Sequence, residues 1–156
     1  MTLSLYEITI PVYIRALTQL SKVLQKAVDH ADEKGISHSE LFNARLAPEM
    51  QPLPFQIQRV SDLAKFVVVR VAGQERVTME DNEKTFEELQ ARIQKTIDVL
   101  KKVKVEDMQG KEDSEVVMPV AGKEATLTGR DFVLIFATPN LYFHVVSGSH
   151  RSSFLW

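Results

Sequence analysis

The fold class follows most directly from the stretch "DFVLIFATPNLYFHVV", residues 131–146. This stretch is apolar on nearly every side, and a helix of such composition is normally buried. Its polar side chains must therefore find partners inside the protein. Asn140 and His144 stand four residues apart, so they lie on one face of a helix and point into the same interior space. The stretch predicts a buried last helix that carries a candidate site.

The composition indicates a single domain without disulfide bonds. The chain has 156 residues and no cysteine, which excludes thiolate metal ligands and a cysteine nucleophile. Nineteen basic against 21 acidic residues give a formal charge of −2, which does not favour nucleic acid or an anionic membrane as a partner. Residues 1–17 lack the basic region of a signal peptide, and we expect no run of the ~20 apolar residues that span a membrane. We therefore expect a cytoplasmic protein with no membrane partner.

Helical spacing begins near the N-terminus. Apolar residues recur in steps of three and four over about residues 6–34, and Gly35 ends this pattern. Pro11 removes one backbone hydrogen bond, so we expect a kink or a separate entry segment there. The letters "SHSE" at residues 37–40 predict a capping box that opens a short helix through Leu46.

Two further helices follow in the middle of the chain. Pro52 or Pro54 at the first helical position and Gly73 just past the end predict the second long helix. Thr85 and Glu88 form a capping box that opens the third. Together with the last helix, these segments predict four long helices.

A change of period separates the third long helix from the last one. In "SEVVMPVAGKEATLTG", residues 114–129, two alternating segments flank Ala121 and Gly122 and predict a small β-hairpin. Pro119 confines the first strand to an edge. Thr128 and Asp131 then cap the last helix. We predict an all-α protein, a four-helix bundle with a small β-hairpin before the last helix.

Four stretches resemble the DinB/YfiT-like superfamily of helical bundles, and more closely a branch known only as a domain of unknown function. They are "LSLYEITIPVYIRAL", "NARLAPEMQPLPFQIQRVSDLAK", "EDNEKTFEELQARI" and "FATPNLYFHV". The resemblance spans roughly residues 3–146, and residues 43–65 are its most specific part. It implies an up-down-down-up bundle that is commonly dimeric, so we expect a homodimer. It also implies relatives that are thiol-dependent transferases or a maleylpyruvate isomerase.

The resemblance further implies a divalent metal held by three histidines, and this chain keeps that pattern only in part. His144 matches the second histidine of an His-x-x-x-His pair on the last helix, whereas Asn140 replaces the first. The histidine of the second helix falls near Gln58 or Asp62. A set of Asp62, Asn140 and His144 offers one imidazole, so we expect at most a loosely held Mg²⁺ or Mn²⁺.

The C-terminal residues depart from the resemblance. Related chains continue the last helix, whereas here Val146 is followed by "SGSHRSSFLW". Gly148 between two serines is a poor helix former, so we expect a helix shortened by about two turns. The predicted organisation is a DinB-like domain over residues 1–147 and an atypical tail over residues 148–156. The final "FLW" would be a packing patch or a contact with a neighbouring chain.

Two classes of function remain open. In the first, the protein binds a small molecule in an interior pocket built from Asn140, His144, Asp62 and Gln58, with at most a weak metal site. In the second, it is an enzyme acting on a small organic acid or a thiol adduct. His144 would then be the general acid or base, or the single imidazole ligand, and Asp62 would orient it.

Each candidate also has a purely structural interpretation. His144 would donate to the Asn140 amide or to the Ile135 backbone carbonyl, which Pro139 leaves free. Asp62 would pair with Arg59 or Lys65, which lie three residues before and after it on the same helix. Asn43 and Arg45 would tie a loop to the core, or would line the pocket mouth, where Arg45 could receive a carboxylate or phosphate.

Overall fold

The computed structural model describes residues 3–120 and 122–153. The helices are α1 (Leu5–Lys34), α2 (His38–Asn43), α3 (Leu53–Arg70), α4 (Phe86–Lys101), α5 (Val105–Met108), α6 (Gly129–Asp131) and α7 (Thr138–Ser153); the strands are β1 (Glu115–Val120) and β2 (Lys123–Thr128). A π-helical segment, Phe132–Ala137, joins α6 to α7. The predicted helical bundle with a hairpin before the last helix is confirmed.

The four long helices enclose one core. Helix α1 packs on α4 and α7, and α3 packs on the same two helices. Apolar side chains from all four helices meet between them at almost no solvent exposure; the largest include Tyr13, Leu17, Leu24, Ile57, Leu89, Ile93 and Phe132. Removal of these apolar side chains from water drives the folding of the bundle. The arrangement leaves α3 between α4 on one side and α7 on the other.

Helix α1 is continuous through Pro11, so the predicted kink or separate entry segment is wrong. Pro11 and Glu7 both lie on the exposed face of the helix. The Glu7 carbonyl, which loses its donor at Pro11, is on that solvated side, so the missing bond is tolerated. A capping box between Ser4 and Glu7 opens the helix, with Ser4 N donating to Glu7 Oε2 at 2.8 Å.

The other predicted caps have mixed outcomes. Glu88 N donates to Thr85 Oγ1 at 3.2 Å, and Asp131 N donates to Thr128 Oγ1 at 3.1 Å, so both threonine side chains are caps. The predicted capping box at Thr85 is only half present, because the Glu88 carboxylate accepts from Lys84 N rather than from Thr85 N. Ser37 precedes α2, but within the described chain its side chain makes no capping hydrogen bond. Helix α2 also ends at Asn43, three residues before the predicted end.

The predicted hairpin is confirmed. Strands β1 and β2 are antiparallel, with Glu115 opposite Thr128 and Pro119 opposite Glu124. Val116 and Met118 are buried, so one face of β1 packs on the bundle. In a two-stranded sheet both strands are edge strands, so Pro119 lies on an edge strand as predicted.

The π-helical segment lies next to Pro139. The N–H of Thr138 donates to the Val133 carbonyl five residues earlier, which is π-helical spacing. One turn of α1 supports this junction, since Tyr13 Oη and Thr138 Oγ1 are 2.7 Å apart and hydrogen-bonded. Burial raises the pKa of the Tyr13 hydroxyl to about 12. The junction sets the rotation of α7, and therefore the direction in which Asn140 and His144 point.

The predicted shortening of the last helix is wrong. Helix α7 continues through Gly148 to Ser153, so residues 148–153 extend the bundle rather than beginning an irregular tail. Gly148 is buried, and a Cβ placed there would lie 3.5 Å from Leu20 Cδ1 and 3.7 Å from Ile57 Cδ1. Close packing of α7 against α1 and α3 outweighs the poor helix propensity of glycine. The predicted patch at residues 154–156 lies outside the described residues.

The last helix is also more apolar than expected. By length and composition alone, the 21 residues Gly129–Ser149 would be sufficient to cross a membrane, contrary to the expectation that no such run exists. A core helix of a soluble protein meets the same criterion, so one such helix is weak evidence for a membrane span. Only 33 % of its most apolar stretch is buried, and Leu134, Ile135 and Phe143 are exposed, so the prediction that this helix is buried on nearly every side is wrong.

Candidate functional site

His144 meets Gln56 where α7 crosses α3. His144 Nδ1 lies 2.8 Å from Gln56 Oε1, which is hydrogen-bond distance. Gln56 is 2 % exposed, whereas His144 is half-buried. The group that orients His144 is therefore the Gln56 amide, and neither Asp62 nor the predicted partners Asn140 and Ile135 hold this ring.

The Gln56 amide also determines which nitrogen of His144 carries the proton. Gln56 Nε2 donates to the Gln51 carbonyl at 3.2 Å, so the amide oxygen is the atom that faces the ring. An amide oxygen only accepts, so Nδ1 must be the protonated nitrogen. In the neutral ring Nε2 then carries a lone pair, and it has no hydrogen-bond partner among the residues that the structure describes.

The surroundings of His144 keep the ring neutral. Burial lowers the pKa of His144, and the positive charge of Arg59 lowers it further. The rings of Phe143 and Phe55 stand edge-on to the imidazole, with centroids 5.1 Å and 6.2 Å away. An uncharged imidazole with aromatic walls can accept a proton or a hydrogen bond at Nε2.

Asn140 lies one turn before His144 on the same face of α7 and is also half-buried. Its Nδ2 donates to the Phe136 carbonyl at 2.6 Å, so the amide is anchored to its own helix. The Asn140 oxygen has no partner in the described part of the chain. The pair therefore offers two acceptors, one nitrogen and one oxygen.

Asp62 faces a different environment. Its carboxylate lies 2.7 Å from Arg59 Nη2, 3.1 Å from Lys65 Nζ and 3.5 Å from Arg92 Nη2. The pairing with Arg59 and Lys65 is the structural role that the sequence suggested as an alternative. The partners of Asp62 are therefore these three cations and not His144.

Gln58 belongs to the same charged region. Gln58 Nε2 donates to Glu83 Oε2 at 2.9 Å, and the opposite oxygen of Glu83 accepts from Arg92 Nη1 at 2.7 Å. Burial by itself would raise the pKa of Glu83, but the hydrogen bonds from Arg92 and Gln58 outweigh it and lower that pKa. Gln58 and Asp62 thus belong to an ionic network between α3, α4 and residues 80–83.

Asn43 and Arg45 tie down the chain between α2 and α3. Asn43 Nδ2 donates to the Ser39 carbonyl at 2.8 Å, and Arg45 Nη1 donates to the Met50 carbonyl at 2.8 Å. Both residues are exposed. These bonds match the loop-tying interpretation, although Asn43 also lines a surface cavity of about 240 Å³ with Phe42 and Phe86.

The predicted metal ligands do not form one cluster of acidic and histidine side chains. Among the side chains that the structure describes, those of residues 3–119 and 122–149, no group of three or more His, Asp or Glu is placed to hold a metal ion. His144 and Asn140 share a helix face, whereas Asp62 is held by cations. A metal at His144 would therefore have one nitrogen and one amide oxygen from the chain, which is a weak set.

A family model described as a domain of unknown function (DUF1993) matches residues 5–148. The chain belongs to the DUF1993 family. The match covers every helix that forms the core, including α7 through Gly148.

A solved structure places this DUF1993 protein among the DinB-like bundles. The crystal structure of a DinB family member from Shewanella denitrificans is 31 % identical, with a TM-score of 0.87. The match covers 94 % of this chain and 83 % of that one. No curated protein matches the chain.

The sequence alone missed Gln56. The letters "PFQIQ" contain two glutamines, and the sequence predicts Gln58 rather than Gln56 as the pocket residue. Two residues are about 200° apart on a helix, so Gln56 and Gln58 face nearly opposite sides of α3. Because α3 is buried on both sides, its apolar pattern could not indicate which glutamine faces α7. The sequence does not show how α3 is rotated relative to α7, and this rotation decides which glutamine meets His144.

Proposed function

We propose that this protein binds a small uncharged molecule that donates a hydrogen bond to His144 Nε2. The observation that carries the proposal is the hydrogen bond from His144 Nδ1 to Gln56 Oε1, because it leaves a lone pair on Nε2. A neutral ring is required for this lone pair, and burial together with Arg59 lowers the pKa of His144.

The neighbouring side chains indicate the chemical class of the ligand. Phe55 and Phe143 provide aromatic edges beside the imidazole, and Asn140 provides an amide oxygen one turn away. A molecule with a hydroxyl or N–H group on an apolar body can donate to the acceptors and pack against the aromatic rings. Phenol is a simple probe of this class.

Thermal denaturation with and without phenol tests the proposal. We expect phenol to raise the melting temperature of the parent, since a ligand that binds only the native state stabilises it. His144→Asn retains an N–H for Gln56 and removes the Nε2 lone pair, so it should lose the phenol effect. The matched control is His38→Asn, because His38 is exposed and pairs with Asp32 at 2.7 Å. Equal phenol effects in the parent and in His144→Asn would contradict the proposal.

The second candidate is an enzyme or a weak metal site at the same atom. The Nε2 lone pair that supports ligand binding also suits a general base, or the single nitrogen ligand of a loosely held Mg²⁺ or Mn²⁺. Metal binding predicts that added Mn²⁺ or Zn²⁺ raises the melting temperature of the parent but not of His144→Asn. An unchanged melting temperature in the parent would remove the metal variant.

We also propose a cytoplasmic homodimer that pairs through α7 and the π-helical segment before it. Leu134 and Ile135 of the π-helical segment expose 51 % and 68 % of their surface, and Phe143 and Val146 of α7 expose 56 % and 50 %. Between Asp131 and His150 the chain has no Asp, Glu, Lys or Arg, so two copies of this face meet without like-charge repulsion. Light scattering should return about twice the chain mass, and a mass of 17.7 kDa at high concentration would contradict pairing.

A further inference from the structure

A cavity of about 340 Å³ lies on the outer side of α3, where residues 76–81 cross the helix. Four cationic and two acidic side chains line it: Arg59, Lys65, Arg70, Arg76, Asp62 and Asp81. We infer that this cavity binds a small organic carboxylate with an apolar body, at a site separate from His144. The inference goes beyond the proposed function, because its ligand is an anion held by Arg70 and Arg76, whereas the ligand proposed for His144 is uncharged.

The two acidic side chains are already occupied by cations. Asp62 pairs with Arg59 at 2.7 Å and with Lys65 at 3.1 Å. Asp81 lies 2.8 Å from Arg92 Nη2, and Arg92 reaches it from α4 with a side chain that is 2 % exposed. The cations of the cavity therefore outnumber the carboxylates available to them.

Arg70 and Arg76 are the cations left over. Neither has a carboxylate within ion-pair distance among the residues that the structure describes. Their charges are therefore the ones that an anion in the cavity would neutralise.

Aromatic stacking holds the guanidinium groups of Arg70 and Arg59 in place. The Arg70 Cζ lies 5.0 Å from the centre of the Phe66 ring, and the Arg59 Cζ lies 5.3 Å from the centre of the Phe55 ring. Stacking restricts the side chains before any ligand arrives, which lowers the ordering cost of binding. The planar fork of an arginine matches the two oxygens of a carboxylate.

The remaining walls of the cavity are apolar. Phe66, Val69, Val77 and Met79 line it beside the cations. Its volume falls in the range of small-molecule sites, and it is larger than a bare inorganic anion needs. Cations on one side and apolar walls on the other therefore favour an organic carboxylate such as benzoate.

Isothermal titration calorimetry with benzoate tests the inference. We expect saturable binding below ~10 mM, and Arg70→Gln or Arg76→Gln should weaken it by about tenfold through loss of a charge-assisted contact. Arg76 is exposed, so its variant keeps the fold even if Arg70→Gln does not. The control Arg15→Gln removes an exposed cation from α1 and should bind benzoate like the parent.

Two further probes distinguish the ligand class. Benzamide has the same ring without the charge, and inorganic phosphate has the charge without the ring. We expect both to bind at least about tenfold more weakly than benzoate. Equal binding of benzamide and benzoate, tighter binding of phosphate, or unchanged binding in both arginine variants would overturn the inference. His144→Asn should keep benzoate binding, so failure here is distinguishable from failure of the phenol site.

Discussion

The two sides of α3 carry opposite kinds of polar chemistry. Toward α7, Gln56 and His144 form one hydrogen bond between uncharged groups. Toward α4 and residues 80–83, Asp62 and Arg92 belong to an ionic network in which each side chain has several charged partners. Two sides of one helix thus differ in whether their polar groups are charged and in how many partners they have.

This difference separates a group that stabilises from a group that can bind. A buried charge needs partners of opposite charge, so the acidic groups of the ionic side are engaged in ion pairs that stabilise the fold. The neutral side needs only one bond to hold its ring, and His144 Nε2 remains available. The same comparison explains the cavity beside Arg70, because there the cations exceed the acids.

The largest expected effect is on the ionic side. Arg92→Leu removes the partner of Glu83 at 2.7 Å and of Asp81 at 2.8 Å. Breaking a buried pair leaves uncompensated charge, so we expect a loss of about 3–5 kcal/mol in the free energy of unfolding. Urea denaturation measures it. The control Arg130→Leu removes an exposed pair with Asp113 at 3.1 Å and should cost less than about 1 kcal/mol. If Arg92→Leu also cost less than about 1 kcal/mol, the ionic network would not stabilise the fold.

A smaller effect is expected on the neutral side. Gln56→Leu leaves the His144 Nδ1–H and the Gln51 carbonyl without their partner, at an expected cost of about 1–3 kcal/mol. His144→Asn keeps a donor for Gln56 and should lose less. If His144→Asn lost more stability than Gln56→Leu, the ring itself would be scaffolding.

Acid should weaken the ionic side selectively. The folded-state pKa of Glu83 lies below its ordinary value of 4.5, so its contribution to stability is present above that pH and is lost as the pH falls through the lowered pKa. Glu83→Gln should therefore lose less stability than the parent between about pH 4.5 and acid unfolding. Unfolding curves that shift equally with pH in both proteins would show that Glu83 does not titrate in this way.

The smallest effect concerns Gly148, which lies beside the neutral side. A Cβ there makes ordinary contacts, at 3.5 Å to Leu20 Cδ1 and 3.8 Å to Gln56 Cβ. Gly148→Ala should raise the unfolding free energy by up to about 1 kcal/mol, because alanine is the better helix former. Gly35→Ala is the opposite control, since Gly35 has φ +66°. Destabilisation by Gly148→Ala would argue against the continuous helix.

Local patterns in the sequence were sufficient for the fold. The threonine caps at Thr85 and Thr128 and the alternation around Pro119 predicted the helix starts and the hairpin correctly. Propensity failed at Pro11 and Gly148, where solvent or tight packing determines the outcome. Both errors concern contacts that no local pattern records.

The site was only half accessible from sequence. The spacing of Asn140 and His144 placed both on one face of α7, and both are half-buried. Their partners depend on how α3 is rotated against α7, and periodicity cannot determine this for a helix buried on two sides. The sequence therefore does not reveal Gln56, and it wrongly predicts Asp62 beside His144, whereas the partners of Asp62 are cations.

At pH 7 we expect His144 to be neutral, with the proton on Nδ1 and the lone pair on Nε2. Long-range ¹H–¹⁵N correlation spectra of the imidazole distinguish protonated from unprotonated ring nitrogens directly, and His144→Asn identifies the signals. We expect a protonated Nδ1 and an unprotonated Nε2, and Gln56→Leu should remove this preference. A ring protonated on Nε2, or on both nitrogens, would contradict the claim that His144 offers an open acceptor.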